Sequence, residues 1–259
     1  MAVQSLFRQA DGRSRILPAG RVATLSGQIV AEVRQALFDK RLNPGDFLGT
    51  EADIAGRSGV SRIVARDALR TLEAQGIVEI RVGAGGGARI AAGNPRLFAE
   101  ALAVQLGLAG VGAQEILDAQ RATEAAAAEL AASQATAAER ARLQALLDRA
   151  AGLLDDPDGF TRASLDFHLA VAEASHNRVL LFQLISLQHV AWPGRNRTLT
   201  RTVAERILAV HRELAALIGM RDGAAARRLM DEHVGMIRDR RLAEERAADE
   251  TKASDRGCC

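Results

Sequence analysis

The sequence predicts a mainly α fold, in which a small unit of three helices and a β-hairpin precedes an all-helical bundle. Three observations predict it. Ala supplies 51 of the 259 residues and Pro only five, and these are the best and worst helix formers. Aromatic residues come to seven Phe, one Trp and no Tyr, too few for a β-sandwich or barrel. Apolar residues recur at helical spacing along most of the chain, with a single β-branched alternating run at 77–82.

The same composition excludes several classes. No run approaches 18 apolar residues, so no membrane span is expected. Met1 to Leu17 carries Arg8, Asp11, Arg13 and Arg15 without an apolar stretch, unlike a secretory signal. The two cysteines, Cys258 and Cys259, are adjacent and cannot staple a fold, which fits a reducing cytoplasm. Residues 1–93 hold 13 Lys/Arg against 9 Asp/Glu, and residues 94–259 hold 21 against 23. The basic excess therefore sits in the N-terminal part, as in a nucleic-acid module joined to a neutral one.

Taken in order, residues 1–20 lack periodicity and read as a flexible tail. From Thr24, the residues Leu25, Ile29, Val33 and Leu37 mark a helix that ends before Asn43-Pro44-Gly45. A short helix fits Thr50 to Arg57 with Thr50 as N-cap, and Gly59 breaks it. Ser61 can cap a third helix, Arg62 to Ala74, whose inner residues are Val64, Ala68, Leu69 and Leu72 and whose C-terminal glycine is Gly76. Ile77 to Val82, the glycines around Gly85 and then Arg89-Ile90 read as a hairpin.

These elements come in the order of a winged helix-turn-helix over 21–92. Ala91 to Pro95 is the expected boundary. Helices are then expected near 96–108, 113–132, 137–154, 158–175, 178–191, 201–220 and 223–246. They form an all-helical domain over 95–246, followed by a flexible tail, 247–259; the family resemblance described below implies that this domain binds ligand and dimerises. Thr136 with Glu139 makes a capping box, and Asp222 caps the last helix.

In a winged helix the second helix of the pair presents its N-terminal residues to base edges in the major groove. Ser61, Arg62 and Arg66 occupy that end. Arg can engage guanine bidentately, and residues four apart share a helix face. Taken alone, two such arginines are more often a solvated face. The string Leu42 to Leu48, Glu51 to Ala55, Gly59 to Arg62 and Arg66 to Gly76 closely resembles the winged helix of the GntR family. The resemblance implies base contacts from Arg62 and Arg66 and a phosphate contact from Ser61, on a palindromic double-stranded operator bound by a homodimer. Where family members carry Arg after the short helix's Glu, this chain has Ala52, and its wing reads Gly83 to Ile90 without the usual Thr-aromatic pair. Arg57, Arg81 or Arg89 could supply charge instead.

The helical part carries Arg121-Ala-Thr-Glu124 and histidines on three separate helices: His168, His211 and His233. A lone His beside an apolar stripe is usually a core residue. Three on the inner faces of a bundle could converge on a metal. Together with Ala174-Ser-His-Asn177, these residues resemble the FCD domain, the effector domain of the FadR subfamily of GntR regulators. That resemblance implies a divalent metal (Zn, Ni or Mn) on His168, His211 and His233. It also implies a small carboxylic or sugar acid as effector, contacted by Arg121 and Asn177. The usual Asp ligand, four residues before the first His, is replaced by Ser164; Asp166 lies two residues away and off that helix face. A DNA-binding regulator is thus expected rather than an enzyme. The competing readings are a three-His metal hydrolase with an appended DNA-binding module, and an acyl-CoA sensor.

Overall fold

The computed structural model describes residues 24–83, 85–191 and 199–256. The expectations for the 1–20 tail, for Pro193 and for Cys258 and Cys259 lie outside the described residues. The chain divides into two compact units, Met1–Leu97 and Phe98–Cys259.

In the first unit, α1 (Leu25–Phe38), α2 (Glu51–Ser58) and α3 (Arg62–Ala74) surround a core that includes Val33, Leu48, Ile54, Leu69 and Leu72. Each helix begins on the residue the sequence marks. Thr24, Thr50 and Ser61 accept from Gly27, Asp53 and Val64 amides, and Asp53 answers Thr50 to close a capping box. Such caps satisfy amides that have no partner inside the helix. The buried face of α1 is rotated from the expected one. It carries Ile29, Val30, Val33 and Ala36, while Leu25 is exposed. Between α2 and α3, Gly59 takes φ +65°, a left-handed turn that a side chain would strain.

The wing has one more strand than expected. β1 (Phe47–Gly49), β2 (Val78–Arg81) and β3 (Gly87–Ile90) form an antiparallel sheet in the order β1-β3-β2. The hairpin pairs Val78 with Ile90 and Arg81 with Gly87, while Phe47 pairs with Arg89. Three residues beside a Pro-Gly turn are too few to show strand alternation, which is why β1 escapes a periodicity reading.

The second unit is helical among the described residues. α4 (Pro95–Leu108) begins with Pro at its first position and crosses the division between the units. There follow α5 (Ala113–Gln134), α6 (Ala137–Ala151), α7 (Pro157–Ala174), α8 (Arg178–Ala191), α9 (Arg201–Gly219) and α10 (Gly223–Arg256). Thr136 and Glu139 form the expected capping box, and Asp222 Oδ1 accepts from Ala225 N at 2.9 Å. α10 lies along α5, and the core between α5, α6, α7, α9 and α10 includes Phe160, Phe167, Leu143, Leu214, Ile218 and Met230. Helix α10 runs ten residues past the end expected at 246, through Ala, Glu, Lys and Arg with no Gly or Pro before Gly257. No helix of the described residues is long and apolar enough to cross a membrane.

Candidate DNA-reading surface and buried histidine site

Helix α3 puts Ala65, Ala68, Leu69 and Leu72 inward and leaves Ser61, Arg62, Ile63 and Arg66 exposed at its N-terminal end. Arg66 does not wave freely. Its Nε and Nη2 each donate to a carboxylate oxygen of Glu51 at 2.8 Å, a two-bond clamp between α2 and α3. The clamp raises the Arg66 pKa and lowers that of Glu51. It leaves Nη1 for another partner. Periodicity could not show the clamp, because Glu51 and Arg66 lie 15 residues apart across a turn.

Arg57 and Arg89 take other positions. Arg57 is half-buried and donates to the Leu48 carbonyl, and burial lowers its pKa. Arg89 donates to the Gly45 carbonyl at 3.3 Å and stands 5.0 Å over the Phe47 ring. Arg57 thus ties to β1 and Arg89 to the turn before it. Arg81 is exposed on β2.

In the helical unit, α7, α9 and α10 bring His168, His211 and His233 together. One ring nitrogen from each lies within 4.8 Å of the others, and all three residues are buried. Nε2 of His211 and Nε2 of His233 are 3.0 Å apart. Phe167 stacks on His211 at 4.5 Å and fixes its plane. Burial, followed by the neighbouring imidazoles, drives the His211 pKa well below its ordinary value. Burial, His168 and the charge of Arg240 push His233 down to about 3. Both rings are therefore neutral at physiological pH, the form in which imidazole ligates metal.

Glu124 sets the third ring. It is 1 % exposed and contacts His168 Nδ1 with Oε2 while its Oε1 accepts from Gln120 Nε2 at 2.7 Å. A carboxylate only accepts, so Nδ1 carries the proton and the Nε2 lone pair of His168 is left for the cluster. A carboxylate behind a ligating histidine is the usual support of such a metal site. Arg121-Ala-Thr-Glu124 is visible in the sequence, but nothing there ties Glu124 to a histidine 44 residues away.

A cleft beside His168 is lined by Gln120, Ser164 and Arg240, with Phe160, Leu199 and Ile207 among its apolar walls. Ser164 is thus on the His168 side, four residues before it, whereas Asp166 turns to Arg149 at 3.4 Å. A second cleft reaches His233 and Arg240 from the other side.

The two residues expected to contact an effector line neither of these two clefts, and Asn177 lines a third with His176 and Glu139. Arg121 is clamped by Asp231, its Nε donating to Oδ1 at 2.7 Å, and it packs over Gly235 outside both clefts. Asn177 Oδ1 accepts from Val179 N at 3.0 Å and Leu180 N at 3.3 Å, capping α8 outside both clefts. The cation that lines both clefts is Arg240, and Arg206 joins it in the second. It escapes a sequence reading because its link to His233 is one helix face seven residues along α10, with no motif around it.

A winged helix with an exposed arginine pair, joined to a helical unit with a buried polar centre, defines a DNA-binding regulator. Comparison with known proteins gives the family. Residues 25–87 match the model of bacterial regulatory proteins of the gntR family, and residues 115–236 match that of the FCD domain. The Uxu operon regulator of Haemophilus influenzae is 30% identical over 229 residues, 84% of this chain and 81% of that protein. A putative L-lactate dehydrogenase operon regulatory protein of Escherichia coli is 31% identical over 220 residues, 82% and 84% of the two chains. A solved GntR structure from Streptococcus agalactiae superposes with a TM-score of 0.60 at 20% identity, covering 83% of this chain and 99% of that one, which shows the shared fold. The chain belongs to the GntR family and carries a C-terminal FCD domain. It is a transcriptional regulator rather than an enzyme.

Proposed function

We propose that the chain acts as a homodimer on a two-fold-related operator and that a small organic acid, bound beside a divalent metal in the helical unit, sets its operator affinity. Arg62 and Arg66 read base edges and Ser61 approaches a phosphate. The exposure of these residues at the N-terminal end of α3 supports that reading.

The observation that carries the metal is the convergence of three buried histidines, two of them held neutral, with Glu124 behind the third. His168, His211 and His233 would hold the ion; imidazole suits Zn or Ni, and Mn would need oxygen ligands beside the rings. Bound there, the metal supplies a positive centre for a carboxylate. The cleft beside His168 would place an acid next to Arg240, which contributes a second positive charge. One relative's name ties it to an L-lactate dehydrogenase operon, which fits an acid of this size.

The test is a melting-temperature screen of organic acids on the full chain, with and without Zn²⁺, Ni²⁺ or Mn²⁺. A ligand that binds only the folded state raises the midpoint by mass action. Stabilisation by an acid only when metal is present supports the reading. No acid and no metal shifting the midpoint overturns it.

A further inference from the structure

Ile63 is 78 % exposed at the second position of α3. The buried side of that helix carries Ala65, Ala68, Leu69 and Leu72. At about 3.6 residues per turn, Ile63 falls opposite the mean direction of those four, so no residue of the first turn points further from the core. Arg66 and Arg70 follow it three and seven residues on, along the same exposed side, with Asp67 between them, and Arg62 precedes it. The first turn holds no acidic residue.

A single exposed isoleucine is ordinary on a protein surface. This one adds little to the fold, because a β-branched side chain in solvent buries nothing and is a poorer helix former than Ala, Lys or Glu. What sets it apart is its place among three exposed arginines, on the surface a duplex would cover. Arginines engage phosphates and guanine edges. None of them recognises the one apolar group that the major groove displays, the 5-methyl of thymine.

We infer that Ile63 is a specificity residue that packs against the 5-methyl group of a thymine, beside the bases addressed by Arg62 and Arg66. This rests on the DNA-reading assignment of α3 proposed above and adds a base that no hydrogen bond identifies. Burying one methyl is worth about fourfold in affinity. On a two-fold-related operator the contact occurs once in each half-site, so the two together compound to roughly tenfold or more.

The experiment uses the full chain and the duplex it selects from a random library. Each thymine is replaced in turn by deoxyuridine, which removes the methyl and keeps the base pair. Fluorescence anisotropy titration should find one thymine in each half-site whose replacement weakens binding about fourfold. Ile63→Ala should bind the thymine and deoxyuridine duplexes equally at that position, while Ile63→Val should keep most of the preference. No methyl effect at any thymine overturns the contact, as does one that persists in Ile63→Ala. If Arg62→Ala and Arg66→Ala still change the selected sequence, only the thymine contact has failed. If those two variants select the wild-type sequence, the DNA-reading assignment falls and this inference with it. Light scattering that shows loss of the dimer in Ile63→Ala places the residue between chains and also overturns the contact. Circular dichroism of both Ile63 variants checks that they fold.

Discussion

His211 Nε2 and His233 Nε2 stand 3.0 Å apart inside the bundle, on helices α9 and α10, separated by 22 residues. Without an ion, one of these nitrogens must donate a proton to the other. With an ion, both lone pairs turn to it. The pair is therefore built for two states, and the first prediction separates them.

Protein purified without chelators should contain close to one divalent metal per chain. The His211→Ala, His233→Ala double variant should contain none. Ser164→Asp should tighten the metal, since position 164 shares a helix face and a cleft with His168. Elemental analysis and competition with a chromophoric chelator measure both. A wild-type chain that stays metal-free after reconstitution returns the histidines to core packing.

Metal-free protein should lose stability in mild acid. The folded-state pKa of His233 is depressed to about 3, and that of His211 lies well below its ordinary value. Below about pH 6.5 the unfolded chain binds protons that the folded chain refuses. The stabilising contribution is thus full above pH 6.5 and declines as pH falls towards 3, at up to about 1.4 kcal/mol per pH unit for each histidine. Urea unfolding in EDTA at pH 7.5, 6.5 and 5.5 reads this directly. His211→Phe should flatten the profile; parallel profiles would show that the imidazoles are not buried neutral.

Much of this architecture is legible in the sequence. Thr24, Thr50, Ser61, Thr136 and Asp222 mark helix starts because a capping side chain acts within three residues. The three histidines can be named because each lies beside an apolar stripe, and their convergence was implied by the family resemblance. What stays hidden is tertiary. Arg121 could be paired with Glu124 or Asp118 by local spacing, yet it meets Asp231, 110 residues on. That leaves Glu124 for His168, and neither partnership leaves a trace in local periodicity. β1 is hidden for the opposite reason, being too short to have a period.

On DNA, Arg62→Ala and Arg66→Ala should each cost roughly 1–3 kcal/mol at the specific operator and relax base preference there. Glu51 gives this prediction a sharper form. Its clamp holds the Arg66 guanidinium in one plane with Nη1 left over. Glu51→Gln should therefore loosen specificity while raising affinity for random duplex, because a negative charge leaves the DNA-facing surface. Selection from a random duplex library, followed by salt titration, measures the two effects separately. Unchanged operator preference in Arg62→Ala and Arg66→Ala would remove the recognition-helix assignment.

The last prediction concerns how the helical unit speaks to the winged helix. An acid can change operator affinity only if it binds one arrangement of the dimer better than another, so operator DNA must change acid affinity by the same factor. A coupling of about 1–3 kcal/mol corresponds to roughly 5–150-fold in either direction. Arg121 and Arg240 distinguish where that coupling enters. Arg121 is held by Asp231 outside the clefts, and Arg240 lines them beside His168 and His233. Arg240→Met should lose the acid response while acid-free operator binding is kept. Arg121→Ala should lower the melting temperature through loss of the Asp231 clamp and leave the acid response in place. Fluorescence anisotropy with a labelled operator, with and without acid, gives both numbers for each variant. If Arg121→Ala abolishes the response and Arg240→Met spares it, the effector is clamped from the α5 side near Asp231, and the cleft beside His168 is not where the acid sits.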